Sequence, residues 1–480
     1  MKRKVQRSWA AWTAFCLTIL SLGIDPAVAQ QKTPPEPGPS RPIVLPKITE
    51  QKLSNGLTVV MAPLANVPKV TAQLVLGAGL ATESDRHAGI AAMSALVANE
   101  GTDRRSGKQI KEELRSVGGG LGLAANPDGT TLFANALSEF APQLFDLISD
   151  VVQHPSFPEA EVAQAKDNSI QQIRGARSNP NFLANERFIQ AIYGKHPYSI
   201  GVADEKSIAA LTRDDLKAFT AKYYVPNNAV LILVGDLDPA TALAQVEKAF
   251  GSWARKDLAA PETPTPPTRD KRQIYFVNRP GSIQSTIFLG NVTVPRKSPD
   301  YFKLRTANSI YGGSFYSRLT KNIREEKGYT YAPNSGSNTQ AISGYFLVSA
   351  SVRNEVTGPT LLEMFYELDR MRVAPVTDEE LASAKTYAKG GFSTELASQN
   401  GLAGRIASIY TYHLSRDFIE KFRPSIDALT TTDIQQTAAK YFDSYRAAIV
   451  IVGDYAKVKD QVQPFGDVTV YDAEGKVIQP

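Results

Sequence analysis

Leu211-Thr212-Arg213-Asp214-Asp215-Leu216, followed by Ala221-Lys222-Tyr223-Tyr224 and then by an apolar run ending in Val234-Gly235-Asp236, decides the architecture, because it occurs twice. Leu429-Thr430-Thr431-Thr432-Asp433-Ile434, Ala439-Lys440-Tyr441-Phe442 and Val452-Gly453-Asp454 repeat it at a constant offset of 218 residues. Upstream, Glu161 to Lys166 (EVAQAK) matches Glu380 to Lys385 (ELASAK) at an offset of 219, one insertion apart. Self-similarity at fixed spacing over so many positions marks a duplicated unit of about 200 residues.

Between the copies lies Ala259 to Thr268 (AAPETPTPPT), whose prolines can continue neither a helix nor a central strand. The expected layout is a first domain over 47–255, a Pro-rich linker over 256–272 and a second domain over 273–480. In the first, Asn55-Gly56 between apolar runs is a hairpin signal, and helical periodicity covers Gly89 to Ala98, Gly107 to Val117, Glu139 to Val152, Glu159 to Ala176 and Thr212 to Tyr223. A closing strand is expected over Asn228 to Val234. Strands and helices mixed without regular alternation predict an α+β fold, here two homologous α/β-sandwich domains arising from an internal duplication.

The N-terminus carries Lys2, Arg3, Lys4 and Arg7, then the apolar run Trp9 to Ile24, then Ala27-Val28-Ala29, the pattern of a secretory signal peptide over 1–29. The mature chain is expected to begin at Gln30, with a Pro-rich tether over 30–46, and to be periplasmic or secreted with no membrane span after signal removal. The single cysteine, Cys16, lies in the removable segment, which excludes disulfides and cysteine-ligated metal from the mature protein. Loss of the leader lowers the formal charge from +5 to about +2, so nothing argues for nucleic acid or an anionic membrane.

With this layout the chain resembles the pitrilysin and insulinase-like zinc peptidases, especially the mitochondrial processing peptidase branch, across nearly all of the mature sequence. The words that carry the resemblance are the Asn-Gly hairpin, the helix ending in Glu100-Gly101-Thr102, Gly118-Gly119-Gly120, Leu137-Ser138-Glu139 and Ile323 to Tyr331 (IREEKGYTY). Active members carry H-x-x-E-H on the helix before the Gly-Thr, two histidines on one helical face for the metal and a glutamate for its bound water. In that register Ala88 to Thr102 places Ala92, Ala95 and Leu96 at the motif, and Gln172 falls at the position of the third ligand. None of Ala92, Ala95 and Leu96 can ligate a metal or move a proton, and they read equally as a helix face repacked into the core. Independently, His87, His154, His196 and His413 are too scattered for a local ligand pair, and neither a G-x-S-x-G elbow nor a P-loop occurs.

The resemblance implies that Arg324 and Tyr331 correspond to an Arg and a Tyr that bind the scissile carbonyl from the second domain, with Tyr329 on the same expected strand face as a competitor for the role. Without the resemblance, the same residues read as a surface ion-pair run and a half-buried strand tyrosine. Gly118 to Gly122 and Ala124-Ala125-Asn126 fall where relatives present an edge strand to an extended peptide, or form a flexible turn with no ligand. The expectation is a chain with no catalytic residue of its own and no cofactor, zinc residing in a paralogous subunit with which it acts on unfolded peptides. The alternative is a homodimeric peptide-binding or scaffold protein with no proteolytic role.

Overall fold

Two six-stranded sheets organise the chain, and their strand orders are the same pattern written twice. A computed structural model describes residues 44–84, 87–200, 203–259 and 264–478, so the expected signal peptide and most of the tether lie outside the described residues. Leu45–Pro480 forms one compact unit. The first sheet contains β1 (Thr49–Lys52), β2 (Thr58–Pro63), β3 (Lys69–Leu76), β4 (Gly120–Asn126), β5 (Gly129–Leu137) and β6 (Ala229–Gly235), ordered β1-β2-β6-β3-β5-β4. The second contains β7 (Gln273–Asn278), β8 (Gln284–Thr293), β9 (Asn334–Thr339), β10 (Gly344–Arg353), β11 (Ala448–Gly453) and β12 (Asp467–Tyr471), ordered β12-β7-β11-β8-β10-β9. In both, the strand before Gly-Asp runs parallel to one neighbour and antiparallel to the other. The outer strand breaks the symmetry: β1 joins antiparallel from the N-terminal side, β12 parallel from the C-terminal side.

The repeated words fold identically. Thr212 caps a helix at Arg213–Tyr223 with Asp215 answering from its third position, and Thr430 does the same with Asp433 at Thr431–Tyr441. Lys166 and Lys385, at equivalent places in the matched hexapeptides, both donate to backbone carbonyls just before those helices, at Leu211 and Asp427. The Asn-Gly hairpin is present with a five-residue connection between Lys52 and Thr58; Gly56 takes φ +97°, and Asn55 accepts from Leu57 N while donating to Phe250 O. A side chain at Gly56 would also meet Asn227 Cβ at 2.9 Å.

Each sheet is covered on one face by its own helices and on the other by a helix from the opposite repeat. On the first sheet Leu74 and Leu76 of β3 pack with Leu144 and Ile148 of the helix Ala141–Gln153. Thr71, alternating to the other face, is bonded by Gln399 and Asn400 of Gln399–Thr411, a second-repeat helix that lies across β3 and β6. Reciprocally, Pro180–Tyr193 lays Leu183, Phe188 and Ile192 against Phe288, Ala448 and Val450 of the second sheet, with the Phe188 and Phe288 rings 6.4 Å apart edge to face. Gln399 fixes the exchange, its Nε2 donating to the carbonyls of Leu64 and Lys69 at 3.0 and 3.1 Å.

Candidate functional site

The helix in the position of the zinc motif, α1 (Ile90–Val97), packs against β4 and against two helices, α2 (Glu159–Arg177) and α3 (Arg213–Tyr223). Ile90, Met93 and Val97 supply its core contacts. Ala95 is buried, but Ala92 and Leu96 are exposed, Leu96 at 51%. The expectation that this face had repacked as core is therefore corrected for two of its positions: residues four apart share one side of the helix, and that side faces solvent. Gln172 on α2 is likewise exposed, while its neighbours Ile170 and Ile173 pack inward. The surface keeps an open face with two apolar side chains and one carboxamide where a metal would need imidazole and carboxylate. That donor set does not fit zinc. Among the described residues, no three His, Cys, Asp or Glu side chains converge in a way that could hold a metal ion.

A carboxylate that sequence reading did not single out sits at the start of α1. Glu83 is buried, and its two oxygens accept from Gly89 N at 2.7 Å and Ala91 N at 2.8 Å. Burial pushes its carboxyl up to about 7 although both N–H groups favour the charged form. Glu83 satisfies two of the free N–H groups of the first turn. No spacing rule finds it, because it precedes the helix by seven residues.

The histidines stay apart. His87 lies 3.6 Å from Asp215 and 3.3 Å from Ser84 Oγ, and His154 pairs with Asp150 at 3.5 Å. His196 stacks on Tyr193, bonds Pro264 O at 3.1 Å, and is held below its usual pKa by burial. His413 is exposed at φ +51°.

In the second repeat Arg324 lies on a π-helical turn, Thr320–Glu326, closed by Lys327 N donating to Asn322 O. Such turns are frequent at functional sites. The turn is anchored from below by buried Asn322, whose Nδ2 donates to Glu363 and Glu367 of the helix Thr357–Val373. Arg318, one turn earlier, is engaged by Glu380 through two parallel bonds at 2.6 and 2.9 Å. Arg324 has no such partner. Its guanidinium carbon stands 4.2 Å from the centroid of Tyr331 and 4.8 Å from that of Phe315, and it makes no hydrogen bond or ion pair with the described residues. The expected surface ion-pair run is thus absent at this arginine: it pairs with neither Glu325 nor Glu326, and Lys327 pairs with Glu363.

Tyr329 and Tyr331 are not on a strand, since β9 begins only at Asn334. The expectation of a shared strand face is corrected accordingly, and period-two alternation does not apply to them. The irregular segment separates the tyrosines: Tyr331 is 77% exposed and stacked on Arg324, whereas Tyr329 is half-buried and tied by its backbone N–H to Ile323 O. Phe315, the second ring on Arg324, is 57% exposed and was not picked out in the sequence, although it sits two residues ahead of Ser317-Arg318-Leu319.

Both sheets end in open edge strands, β4 and β9. Gly118 at φ +60° makes the turn into β4, and a side chain at Gly119 would strike Asn135 O at 2.4 Å. Gly120 and Gly122 would meet nothing within 4 Å, so their lack of a side chain leaves open space on the strand. Gly122 lies opposite Phe133, which stays 47% exposed beside it.

Comparison with known proteins agrees with this fold. The model described as the insulinase family of peptidases, family M16, matches residues 58–206, and the model described as the inactive domain of peptidase M16 matches residues 210–387. An uncharacterized zinc protease of Rickettsia bellii is 28% identical over 405 residues, 83% of this chain and 96% of the relative. The uncharacterized zinc protease YmxG of Bacillus subtilis is 25% identical over 361 residues, 73% of this chain and 85% of its own. Among solved structures, a peptidase M16 inactive domain from Pseudomonas fluorescens superposes with a TM-score of 0.78 at 27% identity, covering 85% of this chain and 98% of that one. A protease from Helicobacter pylori shares the fold with a TM-score of 0.80 at 23% identity, covering 85% of this chain and 100% of its own.

Proposed function

The chain belongs to the pitrilysin-like superfamily of M16 peptidases, and from that premise we propose that it is a non-catalytic subunit of a heteromeric zinc endopeptidase acting on unfolded peptides. The observation that carries the reading is the contrast between its two half-sites. The metal-binding face of α1 and α2 carries Ala92, Leu96 and Gln172, which cannot hold zinc, while Arg324 stands half-buried on its π-turn with every guanidinium donor uncommitted. A fixed positive charge beside a phenol suits an oxygen that gains negative charge as water attacks a peptide carbonyl. Stacking between Phe315 and Tyr331 holds the guanidinium without consuming its donors, as a carboxylate partner would. In this reading Arg324 and Tyr331 bind the carbonyl, the edge strands present backbone groups to an extended chain, and a zinc-bearing paralogue supplies metal and base. The N-terminal sequence supports export to the periplasm with removal of residues up to Ala29.

The test is reconstitution. The mature chain alone should contain no stoichiometric zinc and hydrolyse no unfolded peptide, and mixing with a zinc-bearing M16 paralogue should produce activity that neither chain shows alone. An assembled, zinc-loaded complex no more active than the paralogue by itself would overturn the reading and leave a homodimeric peptide-binding scaffold as the account.

A further inference from the structure

A cavity of about 280 Å³ lies between the two repeats, where the β4–β5 turn meets the segment joining β9 to β10, and neither Arg324 nor any residue of α1 lines it. Its chemistry is one-sided. Asp128 contributes a half-buried carboxylate with no ion-pair partner among the described residues. Gln340 is 9% exposed, and its Oε1 is buried without a hydrogen-bond partner. Around them stand the rings of Tyr193, Tyr198, Tyr345 and Tyr412, with Tyr193 5.6 Å from Tyr198 and 6.3 Å from Tyr345. Exposed Asn338, which donates to the Tyr345 hydroxyl at 2.7 Å, lies at the rim and opens the cavity to solvent.

Carboxylate, unsatisfied carboxamide oxygen and aromatic faces are all sites of negative potential, and a cage of this kind attracts an organic cation. A fixed cation, Arg296, stands behind this wall without lining it: it stacks 4.2 Å over Tyr301, lies 5.5 Å from the Tyr412 centroid and donates to Thr339, while its Nε is buried without a partner. Burial raises the Asp128 carboxyl above its usual value, and the bonds from Tyr198 and Ala341 N pull it back. The existing bonds also select the shape of the cation. Asp128 Oδ1 already accepts from the Tyr198 hydroxyl and Oδ2 from Ala341 N at 3.2 Å, which leaves one lone pair on each oxygen, and a planar two-toothed grip by a guanidinium would need both at once. A compact ammonium needs one remaining lone pair on Asp128 and the open Gln340 oxygen, with its alkyl stem against the tyrosines.

We propose that the cavity bounded by Asp128, Gln340 and the four tyrosines is a binding site for a primary alkylammonium group, either a free amine or the end of a lysine side chain.

Titration calorimetry of the mature full-length chain with n-butylammonium, n-butanol and n-butylguanidinium tests it. The expected result is saturable binding of butylammonium, weaker binding of butylguanidinium and none of butanol. Gln340→Met, which keeps the volume and removes the acceptor, should weaken butylammonium about tenfold or more, as loss of a hydrogen bond to a charged group does. Tyr412→Leu should weaken it with circular dichroism unchanged, and Asp128→Asn should abolish it. Tighter binding of a capped Ala-Lys-Ala peptide than of butylammonium would identify the source as a chain, and equal binding as a free amine. Equal response to butylammonium and butanol, or an unchanged affinity in folded Gln340→Met, would overturn the proposal. Because no zinc-bearing partner takes part, its failure would be separate from failure of the subunit reading.

Discussion

The Arg324 guanidinium carbon lies 4.2 Å from the centre of the Tyr331 ring, while Arg318, on the same segment, is locked to Glu380. One arginine is structural and the other is presented. In a complex reconstituted with a zinc-bearing paralogue, Arg324→Ala or Tyr331→Phe should lower kcat about 10²-fold to 10³-fold, the usual loss of one donor to a developing oxyanion. Zinc content and assembly should not change. Tyr329→Phe should leave kcat nearly intact, because Tyr329 is half-buried and Tyr331, not Tyr329, stacks on Arg324. Unaltered kinetics for Arg324→Ala would remove the catalytic-partner role.

Phe315 is the second ring on Arg324, 4.8 Å from its guanidinium carbon, and in the proposed reading it acts through that arginine as a positioning residue. Phe315→Leu should lower kcat by roughly tenfold with KM nearly constant, in line with loss of an exposed cation–π contact and of orientation. Phe315→Tyr, which restores the ring, should recover the activity. If leucine and tyrosine behave alike in steady-state assays, stacking has no part in presenting the arginine.

Because Ala92, Leu96 and Gln172 are exposed and Ala95 is 1% exposed, rebuilding the zinc motif should be tolerated at three positions and resisted at the fourth. Ala92→His, Leu96→His and Gln172→Glu together should fold like wild type and acquire zinc. Adding Ala95→Glu should cost several kcal/mol of stability in the metal-free protein, since it buries an unpaired carboxylate. Metal analysis and thermal unfolding of the triple and quadruple variants check both halves of this expectation.

Glu83 couples the start of α1 to pH. Its carboxyl is raised from 4.5 to about 7 in the folded chain, so the folded state holds the proton more tightly than the unfolded state does. The associated stability is fully present below about pH 4.5 and is lost as pH rises through about 7. Relative to Glu83→Gln, wild type should lose roughly 2 to 3 kcal/mol between pH 4.5 and pH 8. Denaturant titrations of the two proteins across that range measure the difference, and parallel profiles would contradict it.

The exchanged helices predict a single unfolding event. After removal of a leader ending at Ala29, Trp253 is the sole tryptophan of the chain and belongs to the first core. Phe188→Ala cuts into the second sheet's packing and should destabilise by about 3 to 5 kcal/mol. Trp253 fluorescence and far-ultraviolet circular dichroism should still give coincident transitions. Separate midpoints would show that the two sheets unfold independently.

The duplication was legible because capping residues and strand-ending Gly-Asp words are local and sequential, and they fold alike in both copies. Reading Ala92, Ala95, Leu96 and Gln172 as devoid of donors needed only residue types. What the sequence could not reveal was direction. The apolar stripe of Leu183, Phe188 and Ile192 announces a buried face without saying which sheet it covers. Ala92 and Leu96, small and apolar, look like core by composition yet line an open surface. Tyr329 and Tyr331 alternate like strand residues, but Lys327 N bonding back to Asn322 O sets a turn that delays the strand. Asp128 acts through Tyr198 and Ala341, distant in sequence, and Glu83 and Phe315 meet Gly89, Ala91 and Arg324 across irregular segments, so no spacing marks them.

The reciprocal helix exchange also fixes what the Pro-rich connection contributes. A chain holding only one repeat would lack the helix that covers the second face of its sheet, and would have to obtain it from another molecule at whatever concentration that molecule happened to be present. Joining the repeats converts that encounter into an intramolecular one at a high effective concentration set by the length and stiffness of the linker over 256–272. Two separately expressed repeats should consequently associate in a dilution-dependent manner, whereas the continuous chain should keep both sheets covered at any dilution.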